Sequence, residues 1–449
     1  MNRLWVADDL LGERDVTMDV LRIKGGNRLA GEVEVPGSKN AALAILASVP
    51  LCPGKVVLHN VPEISDVRIK LALLEDFGAK VEWREGSVFI DCSEIHYYEP
   101  DETRVRPIRT SFYLLGPLLA RLGKVRLPMP GGCLIGARPV DFHLKGLAAL
   151  GATVGMENGC YTASAEGLVG TEIYFDFPSA GATQHLMATS VLAKGVTTIN
   201  NAAMEPEVVS LAQFLNCLGA RIEGAGSSTI SVTGVEQLGD CEFRIPADRV
   251  QAGTYLLAAA ATRGDVSVTG ILPEHQTAMV NKLREAGAEV SEGADWVRVA
   301  VDRRLKGIRV KTMPYPGFPT DMQQPMAAVL TLARGNSVVE ETIYESRIGH
   351  VPELNRMGAK VRVEGRATLI EGVQGLTGAV VHASDLRAGA ALCLAALAAE
   401  GETFIKNVHF IDRGYDRLEE RITKLGGEIE RLDEETWERD YAHRLKSSS

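Results

Sequence analysis

The feature that most constrains the fold of this chain is a sixfold internal repeat with a period of about 70 residues. Each copy holds an apolar residue, a glycine, a small residue, a variable residue and a β-branched residue. The glycines of this signature are Gly78, Gly151, Gly219, Gly287, Gly358 and Gly426. A second set, which follows alanine- and leucine-rich segments, comprises Gly54, Gly123, Gly195, Gly264, Gly335 and Gly401. Two markers that stay in phase six times indicate six copies of one structural unit.

Each repeat predicts two helices and several strands. In the first repeat we expect an apolar helix over residues 41–50, a strand over 56–58 and an amphipathic helix over 67–77. Both helices are expected to end at a glycine, which is the residue that most often terminates a helix. Further strands complete a unit of roughly β-α-β-α-β-β.

Six such units predict an α/β fold of two domains. We expect a two-domain inside-out α/β barrel, in which each domain has three β-α-β-α-β-β repeats and buries its helices inside its sheets. One predicted domain combines residues 1–38 with 248–449, and the other spans residues 39–247. A single irregular α/β domain is the alternative.

Charge, aromatic content and cysteine spacing disfavour several classes of partner. The net charge is −10 and aromatic residues make up 6% of the chain, which disfavours binding to nucleic acids or anionic membranes. The longest apolar stretch, residues 388–399, is shorter than the ~20 residues that cross a bilayer. The 7 cysteines show no C-x-x-C spacing, so we expect neither a disulfide framework nor a zinc site, and a cytoplasmic location.

A glycine- and proline-rich loop over residues 128–141 contains the strongest candidate for chemistry. Cys133 follows two glycines in this loop, and Arg138 lies close by in the sequence. A neighbouring cation lowers the pKa of a thiol from about 8.5, and such a thiol can act as a nucleophile or as an acid. The alternative for Cys133 is an unreactive, packed side chain.

Two further candidates stand at predicted helix starts. Lys39 follows Ser38, and either Ser38 or Asn40 can cap the next helix, so Lys39 would lie near the positive end of a helix dipole. This arrangement binds an anion if a second cation converges there; otherwise Lys39 is an exposed lysine. Asp321 precedes an apolar helix, where it is either a helix cap or a general base.

Arginines and acidic residues recur at equivalent points of several repeats. Each of them alone is typical of a surface ion pair. Their repeated placement favours convergence on one cleft. The residues concerned are Arg109, Glu345, Arg347, Asp385, Arg387 and Arg413.

Taken together, these motifs closely resemble those of the enolpyruvyl transferases, from about residue 21 to residue 432. The segments that carry the resemblance are residues 37–43, 130–141, 205–207, 318–323, 350–354 and 409–415. The family fold has two domains of three β-α-β-α-β-β units, which agrees with the six repeats.

The resemblance implies transfer of the enolpyruvyl group of phosphoenolpyruvate to a hydroxyl of a uridine nucleotide, with release of phosphate. Cys133 corresponds to the acid that protonates the methylene carbon and can form a covalent adduct, and Asp321 corresponds to the base. Lys39 and Arg413 are also implied in catalysis. No metal or other cofactor is implied, and we expect a monomer or a weak homo-oligomer.

The family's binding residues transfer to this chain position by position. Those implied to hold phosphoenolpyruvate are Lys39, Arg138, Arg387 and Arg413. Those implied to hold the nucleotide are Asn40, Arg109, Arg138, Pro139, Val140, Asp141, Ser179, Gly181 and Ile343, supported by Glu345, Arg347 and Asp385.

Three departures from the family pattern bear on the acceptor. Ser65 and Phe177 occupy positions where the family usually has lysine, and Gln251 replaces an acidic residue. Loss of two cations disfavours a diphosphate and favours UMP, the acceptor of the family branch that makes nikkomycin- and polyoxin-type nucleoside antibiotics. UDP-N-acetylglucosamine, the acceptor in peptidoglycan synthesis, stays open as the alternative.

Two rival classes of function compete with this interpretation. One is a non-catalytic regulator that keeps the fold and binds a nucleotide, which the presence of Lys39, Cys133, Asp321 and Arg413 disfavours. The other is an RNA-processing enzyme, because RNA 3'-phosphate cyclases share a related repeat architecture. Acidic charge and few aromatic residues disfavour that class.

Overall fold

The protein consists of strands with one solvent-facing side, apolar helices that are almost wholly buried, and amphipathic helices with one exposed face. The structure is a computed structural model that describes residues 19–84, 86–131 and 140–439. The strands are β1 (Asp19–Lys24), β2 (Ala30–Glu34), β3 (Lys55–His59), β4 (Lys80–Arg84), β5 (Ser87–Asp91), β6 (Lys124–Pro128), β7 (Thr153–Glu157), β8 (Cys160–Ser164), β9 (Glu172–Tyr174), β10 (Val196–Asn200), β11 (Arg221–Glu223), β12 (Thr229–Thr233), β13 (Cys241–Arg244), β14 (Asp265–Thr269), β15 (Glu289–Glu292), β16 (Trp296–Ala300), β17 (Arg309–Lys311), β18 (Asn336–Glu340), β19 (Lys360–Glu364), β20 (Ala367–Glu371), β21 (Val380–His382), β22 (Glu402–Lys406) and β23 (Glu428–Asp433).

The helices alternate with these strands in the order that the repeats predict. They are α1 (Lys39–Ser48), α2 (Ser65–Asp76), α3 (Glu102–Val105), α4 (Leu115–Leu122), α5 (Asp141–Ala149), α6 (Ala180–Ser190), α7 (Pro206–Cys217), α8 (Arg249–Thr262), α9 (Thr277–Ala286), α10 (Gln323–Leu330), α11 (His350–Arg356), α12 (Leu386–Ala398), α13 (His409–Asp412) and α14 (Leu418–Lys424). Short 3-10 helices at Arg109–Leu114 and Thr320–Met322 lie near the candidate site.

Five of the six sheets among the described residues share one strand pattern. In each, a parallel edge strand lies beside a central strand, which is followed by two antiparallel strands. Their orders are β13-β3-β5-β4, β9-β10-β12-β11, β2-β14-β16-β15, β17-β18-β20-β19 and β21-β22-β1-β23, and the sixth sheet is β6-β8-β7. One sheet per repeat confirms the sixfold unit. Strands β1 and β2 complete sheets of the later repeats, so the N-terminal segment joins the second half of the chain.

Two hydrophobic cores lie inside these sheets. One core draws its residues from 41–245, and the other from 21–35 and 250–425. Helices α8, α10 and α12 pack against one another in the second core, and almost every side chain of α8 and α12 is buried. The mixed α/β fold with two domains and internal helices is thus confirmed. The six sheets of the described residues do not close into a barrel, and the predicted domain limits of 1–38 plus 248–449 and 39–247 stay a prediction.

The first set of repeat glycines has a direct conformational reason. All six, from Gly78 to Gly426, have φ between +90° and +103°, the left-handed conformation that ends a helix at little cost only in glycine. In the second set, Gly123, Gly195, Gly335 and Gly401 are also left-handed, but only Gly123 caps its helix. The expectation that the apolar helices end at these glycines is wrong for α1, α6, α10 and α12, which end two or more residues earlier. After α8 the left-handed residue is Arg263. Gly264 is needed for a different reason, because a Cβ at this position would lie 2.1 Å from the carbonyl oxygen of Leu29.

The expectation of a chain without disulfides is wrong at one pair. Cys217, at the end of α7, is bonded to Cys241, at the start of β13, with the two Cα atoms 5.8 Å apart. The fold brings these residues together without a spacing motif that the sequence displays. Cys52, Cys92 and Cys393 are buried and packed, as expected. Within the described residues no helix is both long and apolar enough to span a membrane.

Candidate active site

Lys39 and Arg413 meet on one buried carboxylate, that of Asp66. Ser38 caps α1, so Lys39 is its first residue, and the Nζ atom of Lys39 lies 2.8 Å from Oδ2 of Asp66. Arg413 follows α13 and donates from Nε to Oδ1 of the same carboxylate, at 2.9 Å. Lys39 is 7% exposed and Asp66 3%. Arg413 is thus a second cation beside Lys39, so Lys39 is not the exposed lysine of the alternative, and Asp66 is a residue of this cluster that sequence reasoning missed.

Opposing forces set the charges of this first cluster. Burial lowers the pKa of the Lys39 ammonium group, Asp66 opposes that shift, and the charges of Arg413 and Arg387 add to it. Burial alone would raise the pKa of Asp66, but Lys39 and Arg413 outweigh it, so the pKa lies below its usual value. Asp66 is thus an anion that holds two cations in place.

Asp321 forms a second cluster of the same kind, again with one carboxylate between two cations. It lies in the Thr320–Met322 turn before α10, where Oδ1 is 2.8 Å from Nη2 of Arg347 and Oδ2 is 3.0 Å from Nη2 of Arg387. Both arginines are at most 4% exposed. Burial raises the pKa of Asp321, but Arg387 and Arg347 outweigh it and keep the carboxylate ionised.

Asp248 and Tyr415 connect the two clusters. Asp248 caps α8 and accepts a hydrogen bond from the backbone N–H of Lys39, at 3.0 Å. Burial raises the pKa of Asp248, while the charge of Arg387 opposes this. Arg387 lies over the ring of Tyr415 at 5.8 Å, and the Tyr415 hydroxyl is 2.8 Å from that of Thr254. The four cations therefore belong to one electrostatically coupled site.

Two further carboxylates, those of Asp385 and Glu341, help to fix the positions of Arg387 and Arg347. Asp385 caps α12 by accepting from the backbone N–H groups of Arg387 and Ala388, which fixes the start of the helix that carries Arg387. Glu341 is buried and accepts from Thr320, whose hydroxyl also accepts from Nη1 of Arg347. Asp385 was predicted as a supporting residue, whereas Glu341 was missed.

Three segments predicted to hold the nucleotide belong to the part of the chain that forms the core of residues 41–245. Arg109 begins the Arg109–Leu114 3-10 helix, Val140 and Asp141 stand at the start of α5, and Ser179 caps α6 by accepting from the N–H of Ala182. The N-terminus of α6, which includes Gly181, presents backbone donors suited to a phosphate. Phe177 lies just before this cap with 45% of its surface exposed.

The remaining predicted residues fall into two groups. Asn40 is half-buried on α1, Ile343 donates its N–H to Glu341 at 2.7 Å, and Glu345 is exposed two residues before Arg347. Cys133, Arg138 and Pro139 lie outside the described residues. Among residues 19–84, 86–131 and 140–439, no group of three histidine, cysteine or acidic side chains is arranged to hold a metal ion.

Comparison with known proteins assigns the chain to a family. The model of EPSP synthase (3-phosphoshikimate 1-carboxyvinyltransferase) matches residues 23–422. The chain belongs to the EPSP synthase family. It is an enolpyruvyl (carboxyvinyl) transferase, and the resemblance inferred from the motifs is confirmed.

Two similar sequences match the chain over most of its length. UDP-N-acetylglucosamine 1-carboxyvinyltransferase 2 of Carboxydothermus hydrogenoformans is 50% identical over 417 residues, which cover 92% of this chain and 100% of the relative. UDP-N-acetylglucosamine 1-carboxyvinyltransferase of Desulforapulum autotrophicum is 49% identical over 416 residues, covering 92% and 100%.

Solved structures share the architecture at lower identity. The enolpyruvyl transferase NikO from Streptomyces tendae superposes with a TM-score of 0.83 at 26% identity, covering 92% of this chain and 99% of NikO. EPSP synthase from Acinetobacter baumannii gives a TM-score of 0.73 at 20% identity, covering 92% and 100%, and shows the common fold.

Proposed function

We propose that the protein transfers the enolpyruvyl group of phosphoenolpyruvate to a hydroxyl of UDP-N-acetylglucosamine and releases phosphate. The observation that carries this proposal is the pair of clusters in which Asp66 and Asp321 each hold two cations. Phosphoenolpyruvate has two anionic groups, a phosphate and a carboxylate, and charged hydrogen bonds to such groups are strong. The relatives that are 49% and 50% identical over 92% of this chain support UDP-N-acetylglucosamine as the acceptor.

Before the substrate binds, the carboxylates of Asp66 and Asp321 form ion pairs with the cations that phosphoenolpyruvate needs. When phosphoenolpyruvate binds, its own anionic oxygens take over part of the hydrogen bonding of Lys39, Arg387 and Arg413. Asp321 then shares its arginines with another anion, so its pKa rises and the carboxylate becomes a better base. Substrate binding itself thereby prepares the proton acceptor.

The reaction is an addition followed by an elimination. Cys133 protonates the methylene carbon of phosphoenolpyruvate while the acceptor oxygen bonds to the adjacent carbon and gives its proton to Asp321. The bond from that carbon to the phosphate oxygen then breaks, the methyl group returns a proton to the Cys133 thiolate, and the enol ether and phosphate are formed. Lys39 and Arg413 stabilise the charge that develops on the leaving phosphate.

UMP is the second candidate acceptor, as the sequence favoured. Ser65 begins α2 next to Asp66, and the exposed ring of Phe177 precedes the α6 cap, so neither position supplies a cation for a second phosphate. An acceptor with a single phosphate needs fewer cations. Both candidates use the same chemistry at the phosphoenolpyruvate side.

Phosphate release with each acceptor tests the proposal. With phosphoenolpyruvate saturating, we expect kcat/KM for UDP-N-acetylglucosamine to exceed that for UMP at least tenfold. The reverse ratio would establish the second candidate, and no release with either would overturn both.

Arg387→Met should lower kcat/KM for phosphoenolpyruvate by about 10- to 100-fold, the loss of one charged hydrogen bond. The control is Arg298→Met, since Arg298 makes a similar pair with Asp265 on an outer sheet.

A further inference from the structure

Two buried histidines join the helices that carry the predicted nucleotide-binding residues. His143 lies on α5, two residues after Asp141, and His185 lies on α6, six residues after Ser179. Their exposed fractions are 7% and 1%. Their Nδ1 atoms are 3.1 Å apart, within hydrogen-bonding distance. The pair therefore links the start of α5 directly to the first turns of α6.

The hydrogen bonds around the pair fix the tautomer of each ring. The backbone N–H of Gly116 donates to Nε2 of His185 at 2.8 Å, so that nitrogen carries no proton. A neutral His185 then carries its proton on Nδ1 and donates it to Nδ1 of His143. His143 must in turn carry its own proton on Nε2. The chain from Gly116 through His185 to His143 has one direction, and it exists only while both rings are neutral.

Aromatic side chains of the Arg109–Leu114 helix pack around this chain of hydrogen bonds. The Phe112 ring meets the His143 ring edge to face at 5.2 Å, and the Tyr113 ring lies 5.8 Å from His143 and 6.3 Å from His185. The Tyr113 hydroxyl lies so close to Gly181 that a Cβ at that position would be 2.3 Å away. The same group of packed rings therefore contacts all three segments, which carry Arg109, Asp141, and Ser179 with Gly181.

We propose that the His143–His185 pair is a positioning device for the acceptor nucleotide. It sets the separation between the start of α5, where the family resemblance implies contacts to the uracil ring, and the start of α6, where it implies contacts to a phosphate. The two histidines are positioning residues, since they act through the segments they hold together. This inference rests on the proposed function, because it concerns the nucleotide site of the same enzyme. Phosphoenolpyruvate binds to the cation clusters, so its affinity should not depend on the pair.

Three variants separate positioning from packing. His185→Gln keeps an acceptor for the Gly116 N–H but does not reach His143, and we expect KM for the nucleotide to rise about tenfold, which corresponds to ~1.4 kcal/mol. His185→Asn keeps a donor toward His143 and should stay within about threefold of the wild type. Thr189→Val is the control, because Thr189 lies one turn further along α6 and bonds only to the His185 carbonyl among the contacts described. KM for phosphoenolpyruvate should change less than twofold in all three.

Calorimetric titration with UDP-N-acetylglucosamine and with UMP gives a readout that is independent of turnover. A loss of nucleotide affinity in His185→Gln that is absent in His185→Asn supports the proposal. This holds even if the enzyme converts neither acceptor, a result that would overturn only the proposed function. Equal changes in both substrates' KM values, or the same effect in Thr189→Val, would overturn it. If His185→Gln fails to fold, His143→Phe, which removes the acceptor for the His185 proton, should show the same selective loss of nucleotide affinity, and normal nucleotide affinity in that variant would overturn the proposal.

Discussion

The buried histidine pair predicts how the stability of the first core depends on pH. Burial lowers the pKa of His185 to about 3, and burial with the charges of neighbouring groups lowers that of His143 well below 6.5. In the unfolded chain both imidazoles bind protons near pH 6.5. The unfolded state therefore binds more protons below that pH, so stability is complete above pH 6.5 and falls as the pH drops.

The size of the effect follows from the number of protons taken up. Between pH 7.5 and pH 5.0, each histidine that stays neutral only in the folded state costs about 2 kcal/mol, so the pair costs about 4 kcal/mol. This is a large share of the 5–15 kcal/mol that typically stabilises a domain. It affects the core that contains α5 and α6.

Urea unfolding at the two pH values measures this loss. The double variant His143→Phe with His185→Phe removes both titrating groups, and its loss between the two pH values should be about 4 kcal/mol smaller than that of the wild type. His185→Asn should reduce the loss by about 2 kcal/mol. Thr189→Val removes a buried hydroxyl but no titrating group, so its pH dependence should match the wild type. An unchanged pH dependence in the double variant would refute the reasoning.

Three predictions concern the cation clusters and the loop before α5. Asp66→Asn leaves Lys39 and Arg413 without their buried anion, so we expect a loss of about 3–5 kcal/mol in stability, and inorganic phosphate should raise the Tm of this variant more than that of the wild type. Asp321→Asn should lower kcat by about 10²–10⁴-fold while the thermal unfolding profile shows a folded protein, and a kcat within threefold of the wild type would exclude a base role. Cys133→Ser should slow turnover strongly whereas Cys133→Asp preserves it, because a carboxylic acid can also protonate carbon; equal rates for Cys133→Ser and the wild type would exclude the acid role.

The repeats and their glycines could be predicted because their causes are local. A helix that ends in the left-handed conformation needs glycine at that point, and the six glycines from Gly78 to Gly426 show φ values near +90° for this reason. Periodic sequence marks therefore revealed the number of sheets. The exception at Arg263, which adopts φ +52° before Gly264, arises from packing against the N-terminal segment.

The carboxylates of Asp66 and Glu341 could not be predicted because their partners are distant in sequence. Asp66 and Arg413 are 347 positions apart, and only the fold brings them together. Asp66 looked like an acidic residue in the first turn of a helix, and Glu341 like a residue at a strand end. Neither position carries a local motif, whereas Lys39 and Asp321 were found because short motifs surround them.

The histidine pair escaped the sequence for a related reason. A single histidine on an apolar helix predicts a core position, and His143 and His185 are 42 residues apart, too far to form a local motif. The same holds for the disulfide between Cys217 and Cys241. Such pairs become visible only when the separate helices and strands are placed against each other.

The central claim is that the enzyme adds a proton to the methylene carbon of phosphoenolpyruvate, adds the acceptor oxygen to the neighbouring carbon, and then expels phosphate. The most direct measurement is turnover in D₂O with UDP-N-acetylglucosamine and with UMP, followed by proton and phosphorus NMR. For this mechanism we expect one phosphate for each enol ether formed, with deuterium in the methylene group of that product. Phosphate release that yields pyruvate, or an enol ether without deuterium, would contradict it.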